Sequence, residues 1–249
     1  MSRLVAALAT LLAAGPAFAQ ARSTVLRGEF IVDLEPVPSS PGFPGLPDPT
    51  WKPSMPTGQA ADSLMAEASW VFAGMLWGFD FVYTPYDRSR AVADLFELEP
   101  RGSFEGRVGG GRAGAGPVVA SVRADGNSVL AVVEYAPSAV ELAEMGSWYA
   151  ADRRNAQGTG TAPAASIEAT MPGVDGLALE AAARRAAVVN ALREALRTYL
   201  RAIDWNKPRE VRGSFAFSAP PRLFLKAGSW TAIVRIRVVV DSITPYGEY

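Results

Sequence analysis

The sequence predicts an α+β fold in which a mostly antiparallel sheet is packed on one side by two long amphipathic helices. Three observations lead there. Apolar residues alternate with a period of two near both ends and in the middle of the chain, and two long segments switch to the helical period. The strands also follow one another through hairpin-type turns, without the regular strand–helix–strand alternation of a doubly wound sheet.

Taken in order, the chain opens on Arg3 and an uncharged apolar run, Leu4 to Ala14, broken by Gly15-Pro16 and followed by Ala17-Phe18-Ala19. A short positive region, an apolar stretch and a small-x-small ending make a cleavable secretory leader over 1–19, with cleavage before Gln20 or, read through Ala19-Gln20-Ala21, before Arg22. The apolar run falls well short of the roughly 20 residues that span a bilayer. Residues 20–249 are read as a single α+β domain carrying a proline-rich arm at 36–56.

Within that domain Leu26, Gly28, Phe30, Val32 and Leu34 share one face of a half-buried strand. The arm has prolines at 36, 38, 41, 44, 47, 49, 53 and 56, a density that excludes a helix or an internal strand. From Ala60 to Trp77 the stripe Leu64, Met65, Ala68, Val71, Phe72, Met75 and Leu76 predicts an amphipathic helix ending near Gly78. Phe79 to Tyr83 reads as a short strand stopped by Thr84-Pro85, with a helical turn or strand around Leu95 to Leu98.

The run Gly109 to Gly116 contains a literal GxGxxG, but Pro117 opens a β-type run where a dinucleotide fingerprint needs a helix, so a loop is expected. Pro117 to Val122 and Ser128 to Tyr135 form a hairpin through Asp125-Gly126-Asn127. Ser138-Ala139-Val140-Glu141 is a capping box opening a short helix with Leu142, Met145 and Trp148 or Tyr149 inward. Gly158 to Gly173, small, polar and proline-interrupted, reads as a loop. A long helix follows over Leu177 to Ile203, and three strands close the chain, the last alternating from Trp230 to Val240. Arg-Gly-x-Phe recurs at 27–30, 101–104 and 212–215, read as similar strands in one sheet and not as a repeat.

The composition narrows the chemistry. The formal net charge is −1 with no basic block, so nucleic acid is excluded as a partner. There is no histidine and no cysteine, which removes the commonest general base, thiol nucleophiles and structural zinc; no metal or cofactor is expected. No serine-elbow, Ser-x-x-Lys or calcium-loop pattern is present. No segment of the mature chain is long and apolar enough to span a membrane.

Functional side-chain types are densest from Trp70 to Glu99, where aromatics interleave with Asp80, Asp87, Asp94, Glu97 and Glu99. Rings that stack on sugar faces beside acids that take hydroxyls are the ingredients of a glycan site. Trp77, Asp80, Tyr83, Tyr86 and Asp87 are the candidate ligand-binding residues; the competing reading makes the rings core and the acids solvated.

The expectation is an exported, non-enzymatic protein of the bacterial cell envelope, periplasmic or secreted, that binds or scaffolds another envelope protein or a glycan. The alternatives are a carboxylate-based glycan hydrolase and a periplasmic small-ligand carrier. If the arm is a spacer, deletion of Ser39 to Pro53 leaves a cooperative thermal transition by circular dichroism. Loss of that transition would mean that Phe43, Leu46 or Trp51 belongs to the core.

Overall fold

The computed structural model describes residues 25–33, 39–40, 43–47, 57–107, 112–125, 128–150, 152–164, 176–203 and 208–246. The expected leader lies outside them, as do most of the proline-rich arm and the first part of the glycine run. The fold is mixed α+β, with antiparallel sheets and three helices among the described residues.

The N-terminal strand β1 (Leu26–Asp33) pairs with β7 (Ser128–Tyr135), which pairs in turn with β6 (Val118–Asp125). The β6–β7 hairpin closes as expected, with Asp125 opposite Ser128. Within the arm, β2 (Ser39–Ser40) and β3 (Phe43–Pro47) pair with each other as a separate ribbon.

The larger sheet is six-stranded. Its centre is β11 (Ser229–Thr244), long enough to take β8 (Arg154–Pro163) along one edge. Along the other edge lie β10 (Arg222–Lys226) and then β9 (Glu210–Phe217). The order continues through β4 (Phe79–Thr84) to β5 (Leu95–Pro100). Ala227 and Gly228, both at positive φ, make the tight turn into β11, as two-residue hairpins require.

Two features differ from the expected single sheet with helices on one side. The N-terminal strand and central hairpin form their own three-stranded sheet, apart from the C-terminal strands. Helix α1 (Thr57–Leu76) touches both: Phe72 meets Phe30 of β1 edge-on at 5.9 Å, while Trp70 meets Phe79 of β4 at 5.2 Å and Phe217 of β9 at 5.7 Å. From Val71 to Leu76 every residue is buried, so the last turns of α1 have no wet face and are not amphipathic. The helix stops at Gly78, whose φ of 78° and N–H to the Ala73 carbonyl at 3.3 Å make a left-handed cap.

The expected loop from Gly158 is a second correction, because Arg154–Pro163 is a full strand paired to β11 from Ser229↔Pro163 to Val238↔Arg154. Gly158, Gly160 and Ala162 alternate on its buried face, under helix α3 (Gly176–Ile203). A Cβ on Gly160 would stand 2.1 Å from the Ala191 nitrogen, and one on Gly158 would stand 2.2 Å from the Ala191 carbonyl oxygen. The helix therefore rests on the strand backbone through Ala187, Ala191 and Ala195, all fully buried. The Arg-Gly-x-Phe recurrences are not strands of one sheet, because 27–30 lies in β1 of the smaller sheet, 212–215 in β9 of the larger one and 101–104 in no strand. What they share is room, since a Cβ would meet the rings of Phe30, Trp77 and Phe81 at Gly28, Gly102 and Gly213.

Helix α2 (Ala139–Ser147) begins at the capping box read from the sequence: Ser138 accepts from the Glu141 N–H, and Glu141 accepts from the Ser138 N–H at 2.8 Å. Glu141 also accepts from the Tyr135 hydroxyl at 2.7 Å and from Arg107, which ties α2 to β7. Burial alone would raise the Glu141 pKa, but the hydrogen bonds from Arg107, Tyr135 and Ser138 outweigh it and hold the value at about 2. Trp148 is the buried member of the Trp148/Tyr149 pair.

Gly160→Val is expected to cost on the order of 3 kcal/mol or more, because neither helix nor strand backbone has space to yield at the seam. Chemical denaturation reads the loss. A cost below about 1 kcal/mol would mean that α3 lifts freely from β8.

Candidate functional site

The five residues expected to bind do not converge. Trp77 and Tyr83 are buried, the first under Phe104 and the second with its hydroxyl near Arg197. Burial is the main reason the Tyr83 pKa is raised. Asp80 is exposed on the opposite face of β4 and lies 3.7 Å from Arg101. Tyr86 is 53% exposed, whereas Asp87, expected beside it at the surface, is only 4% exposed. The Asp87 carboxylate accepts from the Ser89 N–H at 2.9 Å, the Ser89 hydroxyl at 2.6 Å and Arg90 at 2.6 Å, closing the turn between β4 and β5.

Of the other acids, three gather on one sheet face and Asp94 stands apart. Cross-strand pairing of Asp80 with Glu99 and of Val82 with Glu97 puts Asp80, Glu97 and Glu99 on one sheet face, where they line an open depression of about 520 Å³ with Arg212 and Asp241. Asp94 instead belongs to α3, accepting from Arg197 at 3.1 Å and facing Arg193 at 3.6 Å. The rings of Phe79, Phe81 and Tyr83 occupy the buried face of the strand whose other face carries Asp80. Strand alternation thus separates the aromatic and acidic halves of the expected glycan site. Among the described residues no group of three or more acids is arranged to hold a metal ion.

A different set of residues encloses a cleft of about 300 Å³ between α1 and α3, beside β1 and the turn into β10. Helix α1 contributes Ser63, Ala66, Glu67 and Trp70, one stripe at helical spacing; α3 contributes Ala181, Ala182, Arg185 and Val188. Alanine and serine are too short to fill the space between two helix backbones, which is why it stays open. Phe30, Val71, Pro221 and Leu223 complete apolar walls, and Glu29 stands at the edge.

Charge in this region is mostly engaged. Arg184, fully buried, donates from Nε to Glu67 at 2.9 Å and places Nη2 at 2.8 Å from the same carboxylate. Glu180 is 3.9 Å from Arg184 and accepts the Trp230 indole N–H. Burial raises the Glu67 pKa, partly offset by Arg184. The Arg185 guanidinium lies 4.6 Å from the centre of the Trp70 ring, and burial lowers its pKa.

This cleft has none of the aromatic-and-acid density along the chain that marks residues 70–99. The available signal was the run of alanines at 181–183 facing a stripe of small residues on the earlier helix. The fold and the cleft together define a mixed α+β protein with an open helix–helix pocket. Residues 14–246 match a protein-family model, and the chain belongs to that family. It is similar to an uncharacterized protein of Treponema pallidum (strain Nichols), 27% identical over 226 residues, which covers 85% of this chain and 86% of that relative. No solved structure matches the chain. No helix among the described residues is long and apolar enough to cross a membrane.

Asp87→Ala is expected to lower the melting temperature, while Tyr86→Ala leaves it nearly unchanged. Hydrogen bonds from Ser89 and Arg90 hold the Asp87 pKa below its ordinary value. Its stabilising contribution is therefore complete above the unfolded carboxylate value of about 4 and is lost as pH falls through the folded one. Melting curves from pH 7 downward should show the Asp87→Ala deficit shrinking below about pH 4; a deficit independent of pH would contradict this role.

Proposed function

We propose that this chain is an exported, non-enzymatic binding protein of the bacterial cell envelope. The separation of its carboxylates into three structural settings carries the reading. Carboxylate-based hydrolysis needs an acid and a second carboxylate flanking one bond, and glycan recognition needs rings beside them. Here Asp87 closes a turn, Asp94 clasps α3, and Asp80, Glu97 and Glu99 lie across the strand from the rings expected to accompany them.

Binding is supported by the α1–α3 cleft, whose size is at the lower end of small-molecule pockets and whose walls are mainly apolar with a few charged groups. Export is supported by the leader pattern at 1–19. The relative in Treponema pallidum supports a bacterial setting. Tyr86 and Asp80 are both exposed at the surface, where an envelope partner would meet them.

Expressed with its own leader in a Gram-negative host, the chain should accumulate in the periplasmic fraction with Gln20 or Arg22 at its mature terminus, read by N-terminal sequencing. Retention of Met1 on cytosolic protein would overturn export. Turnover of a glycan that is lost in Glu97→Gln or Glu99→Gln would overturn the non-enzymatic part.

A further inference from the structure

Three arginines of α3 have carboxylate partners. Arg184 is held by Glu67 at 2.8 Å, and Arg193 and Arg197 face Asp94 at 3.6 and 3.1 Å. Among the described residues Arg185 has neither an ion pair nor a hydrogen bond; its contact is the Trp70 ring. A guanidinium stacked by its face keeps its N–H edge for a planar acceptor, and a carboxylate matches that edge with two parallel hydrogen bonds. Arg185 is exposed, so that edge is open to a ligand from outside, and the burial of part of its side chain lowers its pKa.

The rest of the cleft specifies the body of the ligand. Ala66, Ala181, Ala182 and Val188 present short apolar walls, and Glu67 is already taken by Arg184. A cavity of about 150 Å³ takes a benzene ring. The cleft, at about 300 Å³, suits one ring with a short chain or an acyl chain of similar bulk.

We propose that the α1–α3 cleft binds a compact amphipathic monocarboxylate, with its carboxylate on Arg185 and its apolar body against the alanines of the two helices. This rests on the binding reading above and names the ligand class for it. Arg185 is the recognition residue. Trp70 orients it, and Glu29 at the rim disfavours a second negative charge on the ligand.

Isothermal titration of the mature chain with 3-phenylpropionate and octanoate tests the assignment, with 3-phenylpropanol and 3-phenylpropylamine as uncharged and cationic counterparts. Saturable one-to-one binding of both carboxylates is expected, at least tenfold weaker binding of the alcohol, and none of the amine. Arg185→Gln should weaken carboxylate binding at least tenfold without lowering the melting temperature. Ala182→Leu should abolish binding by filling the body site, and Glu29→Gln should leave it unchanged or tighter. Undiminished binding in Arg185→Gln, weaker binding in Glu29→Gln, or no binding of either carboxylate overturns the proposal. An exported chain that binds neither carboxylate leaves the export reading standing and removes this one; a carboxylate-binding chain that stays cytosolic does the reverse.

Discussion

The contact of α3 with the backbone of β8 sets the geometry of the molecule. Helices usually pack on sheets through layers of side chains, but Gly158 and Gly160 remove that layer and Ala187, Ala191 and Ala195 thin it from the helix side. The helix axis is fixed where the strand leaves room for nothing larger. On β11, next to β8, the fully or nearly fully buried Trp230, Ala232, Val234, Ile236 and Val238 present ordinary bulk. The first turns of α3 reach α1, where small residues on both helices leave the cleft open. Close contact at one place and a gap at another arise from the same alanine-rich helix.

Why β8 escapes a sequence reading follows from this contact. A strand is recognised by β-branched and aromatic residues, because these fill a half-buried pleated surface. Where a helix backbone comes within contact distance, that preference reverses and only glycine or alanine fits. The surviving signal is positional: Gly158, Gly160 and Ala162 keep the period of two, and Ala187, Ala191 and Ala195 keep a spacing of four. The β6–β7 hairpin, the capping box at Ser138 and the C-terminal strands were legible because their determinants are local. The division into two sheets was not, since alternation shows that a strand has a wet face and a dry face and says nothing about its neighbours. Helix α1 followed the predicted stripe only as far as Trp70; beyond it, burial on all sides needed the second sheet.

The candidate site was misread for a related reason. Aromatic and acidic residues adjacent in sequence alternate across a strand, so density along the chain from Phe79 to Tyr83 becomes opposition in space. Residues that do meet, Trp70 and Arg185, are 115 positions apart and join through helix packing. Arg185 was visible in the sequence as one of several arginines flanking the long helix. Its distinction is relational: among the described residues Arg184 finds a carboxylate, whereas Arg185 meets the Trp70 ring on the facing helix.

Arginine is well suited to every one of these positions. Its charge survives burial, its plane stacks on rings, and its fork pairs with carboxylates in fixed geometry. Arg184 shows the buried extreme, fully enclosed between Glu67 and Glu180 and beneath Trp230, where removing Glu67 would take away both of its close contacts in the core. Arg107 shows the half-exposed case, with Glu141 in front of it and the rings of Trp77 and Phe104 beside it. A chain that assigns acids to its arginines in this way has committed those acids to holding elements together. Catalysis by carboxylates asks for the opposite, acids whose charge is free to change as a bond breaks. The proposed binding role fits that division of labour: Glu67, Asp94 and Glu141 are occupied with structure, and Arg185, with no carboxylate partner among the described residues, lines a cleft with apolar walls.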